Sequence, residues 1–284
     1  MTYSIVARDE DTGELGVAVQ SQAFNTGAAV PWLRPGVGAV ATQSFTDRRY
    51  GWRGLELLAG GASASTALEQ LRTGDALVEL RQVGIVGADG SYAQWTGAHC
   101  VRDAGHAHGE SWIAQANMVA SPRVWEAMGE AFDTAGGELA RRLMAALEAA
   151  EDAGGDWRGR GGAAVVVVPA TGEPWERVVD IRVEEGDSSL VELRRLLELA
   201  LAYRAANRAT HDRAAIGREA GLPETHVLLL ALQDAGSAGD IDTARSILAQ
   251  LERANPRWRD VLQASARVPG MEALGALLDA PEHG

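Results

Sequence analysis

From Tyr3 to Arg8 the chain runs through β-branched, aromatic and apolar residues, and Leu15 to Ser21 repeats the pattern. Between them the acid-rich stretch Asp9 to Glu14 closes on Thr12-Gly13. Two apolar runs around such a turn predict a β-hairpin whose first strand is apolar enough to lie inside a sheet. Gly36 to Gln43 reads as a third strand. Gly51 to Gly60 and Ser63 to Arg72 read as short helices, the second with Ser63 as N-cap, Ala67, Leu68 and Leu71 on one side and Gly74 as a stop. Val83 to Val86 and Tyr92 to Thr96 flank Asp89-Gly90, the strongest hairpin signal in the chain. Trp112 to Val119 reads as a strand. Pro122, behind a Ser121 cap, opens a helix to about Asp133, and another runs from about Glu138 to Asp152. Ala163 to Val168 and Arg177 to Val183 read as the last strands, and Ser188 or Ser189 caps a long helix to about Asn207.

Runs of strands thus alternate with pairs of helices, not with single crossover helices. That order predicts an α+β protein in which helical layers cover antiparallel sheets, and argues against a doubly wound parallel fold. From about Ala209 the character changes. Val227 to Leu230 is apolar, Ile241 to Leu251 carries apolar residues at helical spacing, and the run from Gly239 to Ala244 looks like the start of a helix in a helical hairpin. One such unit is too little for a solenoid, which takes about three. The expected organisation is a main domain over 1–207 and a small all-helical domain over 208–284.

Composition narrows the function. The net charge is −13 and the pI about 4.9, which disfavours nucleic acid and anionic membrane surfaces as partners. There is no lysine, so all 26 basic residues are arginine. A Schiff-base lysine, a P-loop lysine and a serine–lysine dyad are excluded. The lone Cys100 cannot form an internal disulfide and points to a reducing compartment. Asp9, Glu10 and Asp11 come too early for a signal peptide, and no uncharged apolar segment reaches the ~18 residues of a membrane span. The expected compartment is the cytoplasm.

Chain ends are mostly loose, so an N-terminus read as part of a central strand draws attention to Thr2. Removal of Met1 leaves Thr2 with a free α-amine of pKa near ~8. That amine can take the proton of its own hydroxyl and so activate a nucleophile. The plain alternative is a β-branched residue that starts a strand; Ser4, two residues deeper on the same face, is the fallback hydroxyl. Asn117 ends a strand that disfavours asparagine and is a candidate oxyanion donor, or else ties down a neighbouring loop. Gln43 and Thr42, at the end of the third strand, are weaker candidates of the same kind. Asp156, Arg158 and Arg160 lie in the glycine-rich run Gly154 to Gly162. Its arginines are candidates to clamp a carboxylate or phosphate, the alternative being a solvated turn with Asp156 pairing one of them. His99, Cys100, His106 and His108 form the one metal-like cluster, but their spacing matches no zinc pattern, and no metal or other cofactor is expected. Trp32, Trp52, Trp95, Trp112 and Trp125 are read first as core packing.

Several blocks in order carry a family likeness: TYSIVARD and TGELGVAVQS within residues 2–21, VPW from Val30, GVGAVATQ from Gly36, Tyr50 to Leu58, Thr96 to Cys100, Ala104 to His106, Gln115 to Asn117, and Gly154 to Arg160. The chain resembles the DUF1028 family, a bacterial and archaeal group with an Ntn-hydrolase-like fold, over roughly residues 2 to 200. The resemblance implies a four-layer αββα sandwich. It also implies a mature N-terminal Thr, Ser or Cys as nucleophile, the place that Thr2 occupies. Where some members carry Asp-Ser-Arg after the second strand, this chain has Gln20-Ser21-Gln22, and with no lysine the α-amine acts unaided. Gly239-Asp240, Ala244-Arg245 and Asn255 to Trp258 resemble the peptidoglycan-binding-type module attached to that family. The function expected is an Ntn-type hydrolase that cleaves an amide-like bond in a small anionic substrate, acting as a homo-oligomer, a dimer. Two readings stand beside it: a non-catalytic binding or assembly protein on the same fold, and a cyclohydrolase-type enzyme that does not use the N-terminus.

Overall fold

The structure, a computed structural model, describes residues 2–267; Met1, on which the trimming step depends, and residues 268–284 lie outside the described residues. Two compact units divide the chain, Met1–Leu197 and Glu198–Gly284. In the first, β1 (Thr2–Arg8) and β2 (Leu15–Ser21) form the expected hairpin. Its turn is held by Asp9, whose carboxylate accepts from Thr12 N and Oγ1, and by Gly13 at φ 71°, a left-handed conformation that favours glycine. The remaining strands are β3 (Pro31–Arg34), β4 (Gly38–Ser44), β5 (Arg81–Gly87), β6 (Tyr92–Thr96), β7 (Gly105–His108), β8 (Trp112–Asn117), β9 (Gly162–Val168) and β10 (Val179–Val183). They build a six-stranded sheet in the order β10-β9-β2-β1-β8-β7 and a four-stranded sheet in the order β3-β4-β5-β6. All pairings between named strands are antiparallel.

The faces follow from the period of two along each strand. Val6, Val17, Val19, Ile113, Ala164 and Val166 of the larger sheet meet Ala39, Ala41 and Val86 of the smaller in one buried cluster. The outer face of the larger sheet carries α3 (Arg123–Thr134) and α4 (Leu139–Asp152). The outer face of the smaller carries α1 (Arg48–Ala59) and α2 (Ala64–Arg72), over Val40, Val83, Ile85, Tyr50 and Leu55. This is a four-layer αββα sandwich, the architecture implied by the resemblance. Ser63 caps α2 by accepting from Thr66 N at 3.2 Å, as read from sequence. Ser121 does not cap α3 through its hydroxyl; its backbone carbonyl accepts from Val124 N. β3 and β7 escape sequence reading because each has four residues, one opening on Pro31 and the other reading Gly-His-Ala-His; their partner strands define them.

The division between units falls within α5 (Ser189–Arg208). The second unit continues with α6 (Arg213–Glu219), α7 (Glu224–Ala238), α8 (Ile241–Ala254) and α9 (Trp258–Ser265). α7 ends on left-handed Gly239, and Asp240 caps α8 by accepting from Thr243 N. Leu232, Ala235, Ala244, Ile247, Leu248, Leu251 and Leu262 form its core. Among the described residues, no helix is long and apolar enough to cross a membrane.

Candidate active site

β1 lies between β2 and β8, so its first residue is held from both sides. The register sets Thr2 across from Asn117 on β8 and, one step beyond Tyr3↔Gln20, beside Ser21 on β2. Thr2, Ser4, Ser21, Gln115 and Asn117 face the second sheet, while Tyr3 turns to the helix layer, where its hydroxyl donates to Glu151 Oε2 at 2.9 Å. Burial, followed by the Glu151 carboxylate, pushes the Tyr3 phenol well above its ordinary pKa.

Thr2 is 8% exposed, and its Oγ1 donates to Ser21 Oγ at 3.1 Å. Behind it, four fully buried amide side chains span the two sheets. Gln43 Nε2 donates to Thr2 O at 3.1 Å, to Gln82 Oε1 at 2.8 Å and to Gln115 O at 3.3 Å, and its Oε1 accepts from Ser4 Oγ at 2.7 Å. Gln115 Nε2 donates to Ala41 O and to Ser4 Oγ. Gln82 Nε2 donates to Ala116 O, Gly105 O and Thr96 Oγ1, and its Oε1 accepts from Asn117 Nδ2 at 2.9 Å. Buried amides have to be paired, and here they pair mostly with each other and with backbone carbonyls. Ser44 and Met118, next after Gln43 and Asn117, have φ of 71° and 56°, so two non-glycine residues in left-handed backbone flank this end of the sandwich.

The structure places the sequence-read residues unevenly. Thr2, Asn117 and Gln43 meet in this network. Gln43 has its amide nitrogen on three acceptors, which makes it a brace on the Thr2 carbonyl. Asn117 directs its amide nitrogen to Gln82, away from the oxyanion role read for it, which would require this hydrogen bond to open. Asp156 sits where the loop at 154–161 joins the ends of β8 and β2: it bridges to Val119, and its carboxylate accepts from Gln22 N at 2.9 Å and Arg158 N at 2.8 Å. Arg158 also reaches Asp156 Oδ2 at 3.4 Å, and Arg160 pairs with Glu151 at 2.5 Å. Arg160 lines a groove of about 330 Å³ with Glu148, Glu151, Leu190, Val191 and Arg194. Thr42 turns to the outer face and donates to Asp47 O.

The metal-like cluster is dispersed. Cys100 Sγ donates to Arg81 O, His106 Nδ1 lies 2.8 Å from Thr96 Oγ1, and the His108 ring lies 5.1 Å from Tyr92. Burial raises the Cys100 thiol and lowers the His106 imidazole. Among the described residues, no three metal-ligating side chains converge. Trp112 packs on Phe132, Trp32 and Trp95 flank the Tyr50 cluster, and Trp52 is exposed.

Sequence reading passed over Ser21, Gln82 and Gln115. Their signal was parity: Gln82 shares the inward face of β5 with Gly84 and Val86, a polar residue where an apolar one belongs. It also passed over a second polar cluster under α1. There buried Arg81 pairs with Asp75 at 2.8 Å and donates to Phe45 O, and Tyr50 Oη donates to Asp75 Oδ2. The Arg81 guanidinium draws the Asp75 carboxyl down to about 2, while burial pushes the Tyr50 phenol up.

The family model "Family of unknown function (DUF1028)" matches residues 2–193 and so stops short of the helical unit. Protein SPO2555 from Silicibacter pomeroyi, a DUF1028 structure, is 29% identical over 74% of this chain and 87% of its own, with a TM-score of 0.64. Anbu, the ancestral β-subunit from Yersinia bercovieri, is 12% identical over 73% of this chain and 98% of its own, with a TM-score of 0.35. BPH from Thiobacillus denitrificans, solved with epoxomicin, is 14% identical over 61% of this chain and all of its own, with a TM-score of 0.30. No curated protein matches the chain.

Proposed function

From the premise that the chain belongs to the DUF1028 family, we propose that it is an Ntn-type amide hydrolase whose nucleophile is Thr2 after loss of Met1. The observation that carries this reading is the position of Thr2 at the head of the central strand, braced through its carbonyl by Gln43 and through its hydroxyl by Ser21. A nucleophile gains from such fixed placement. The α-amine takes the hydroxyl proton as Oγ1 attacks the carbonyl carbon, then gives it to the leaving amine. Water hydrolyses the resulting ester and restores Thr2. Arg158 and Arg160, each facing a carboxylate at the rim, favour a small anionic substrate that exchanges with those pairings. We read the protein as a cytoplasmic homodimer with no cofactor, and the helical unit as an appended module of peptidoglycan-binding type. The alternative, a binding protein without chemistry, draws support from the engaged amides of Gln43 and Asn117.

Mass spectrometry of the mature chain, with a panel of N-acyl and ureido acids, tests the proposal. Thr2→Ala should abolish any hydrolysis while Tm moves by only a few degrees, since one buried hydroxyl is lost at about 1 kcal/mol. Turnover equal to the parent protein's would exclude Thr2 as nucleophile.

A further inference from the structure

An α-amine at Thr2 has to be held in one orientation before it can take a proton from the hydroxyl on the same residue. Backbone N–H groups alternate between the two sides of a strand. Arg8 N–H donates to Ser111 O, on the β8 side, so the nitrogens of Val6, Ser4 and Thr2 face β8 as well. Across from Thr2 on that side stands Asn117, its side chain on the same face of the sheet. The Cα atoms of such a pair lie about 5.5 Å apart, a span that the partner's side-chain carbonyl can cross.

The orientation of that side chain is set by its neighbours. Gly105 O and Ala116 O only accept, so Gln82 turns Nε2 to them and Oε1 toward Asn117 Nδ2. Asn117 Oδ1 is then the outward arm. It is buried and has no hydrogen-bond partner among the described residues. In a chain that keeps Met1, the Thr2 amide has one hydrogen, and the strand ladder takes it. A free amine has two and an ammonium three. Trimming therefore creates donors beside a buried acceptor that lacks one.

We infer that Asn117 is the positioning residue for the Thr2 α-amine. Its Oδ1 and its backbone carbonyl each accept one N–H, which turns the lone pair toward the Thr2 hydroxyl. This inference rests on the reading of Thr2 as an N-terminal nucleophile. The side chains around Thr2 and Asn117 from β2, β4 and β5 are neutral: Ser21 meets the Thr2 hydroxyl, Gln43 the Thr2 carbonyl and Gln82 the Asn117 amide. Among the described residues, the charged groups near this end include Asp156, Arg158 and Arg160 in the loop, Asp103, whose carbonyl accepts from Val119 N, Glu151 on α4 behind Tyr3, and Arg81 with Asp47 and Asp75 at the end of the second sheet.

The test uses the absence of lysine: the α-amine is the protein's sole primary amine. Mass spectrometry first establishes which residue carries it. Retained Met1 overturns the nucleophile reading itself. With Thr2 exposed, the rate of acylation by acetic anhydride against pH gives the amine's pKa. Asn117→Ala should lower it by about one unit, the size of one lost hydrogen bond to a charged group. A purely structural role for Asn117 would leave that pKa unchanged. In the parent protein, labelled with ¹³C-asparagine, the Asn117 Cγ resonance should titrate with the same midpoint, which needs no folded variant. An amine pKa unmoved by Asn117→Ala, or a Cγ resonance indifferent to the amine, overturns the inference while Thr2 stands as nucleophile.

Discussion

Replacing Gln82 by leucine keeps nearly the same volume and removes the hub of the inter-sheet amides. Gln82 donates to Ala116 O at 2.9 Å, Thr96 Oγ1 at 3.0 Å and Gly105 O at 3.1 Å, and accepts from Gln43 and Asn117. Gln43 Nε2 keeps Thr2 O and Gln115 O, so its loss is small. Among the described residues Asn117 Nδ2 has no other acceptor, and an orphaned buried donor costs about 1–3 kcal/mol. The two N–H groups of Gln82 Nε2, shared among these three acceptors, add about 1 kcal/mol each, offset in part by leucine's apolar surface. The expected destabilisation is about 2–4 kcal/mol, a large share of the ~5–15 kcal/mol that holds a domain together. Tm should fall by roughly 10 °C. Urea unfolding followed by tryptophan fluorescence measures it, with Thr96→Val as the reference that removes one arm of the hub, at about 1–2 kcal/mol. If Gln82→Leu costs no more than Thr96→Val, the amides are not a connected support for Thr2, and the account of the site is wrong.

Two further perturbations address the second sheet. Asp75 has its folded pKa drawn down to about 2, so its stabilising effect is complete above the unfolded value near ~3.9 and fades as pH falls through about 2. Asp75→Asn should therefore lose about 2 kcal/mol at pH 5 but little at pH 2, read as urea midpoints at both; an equal loss at both would remove Arg81 as the cause. At Gly51, a Cβ would sit 2.1 Å from Trp32 Cγ, whose indole N–H is anchored on Ala29 O. Gly51→Ala should cost about 1–3 kcal/mol by thermal melt, and adding Trp32→Leu should recover part of it; a neutral Gly51→Ala would show that the ring moves freely.

The order of strands and helix pairs and the Thr12-Gly13 and Asp89-Gly90 turns were legible in the sequence, because each depends on neighbours a few residues apart. Apolar alternation in β1 and β2 already required a buried hairpin, and the missing lysine already removed several mechanisms. Thr2 too could be singled out as a candidate, since the proposed role is read from its place in the chain. What tertiary structure alone decided is which polar groups meet. The hydrogen bonds from Gln43 to Gln82 and from Asn117 to Gln82 each join residues more than thirty positions apart and arise only when two sheets stack. Donor and acceptor ends of an amide look alike in a sequence. Only the carbonyls of Gly105 and Ala116, fixed by the ladder of β7 and β8, determine which end of Asn117 is left for Thr2.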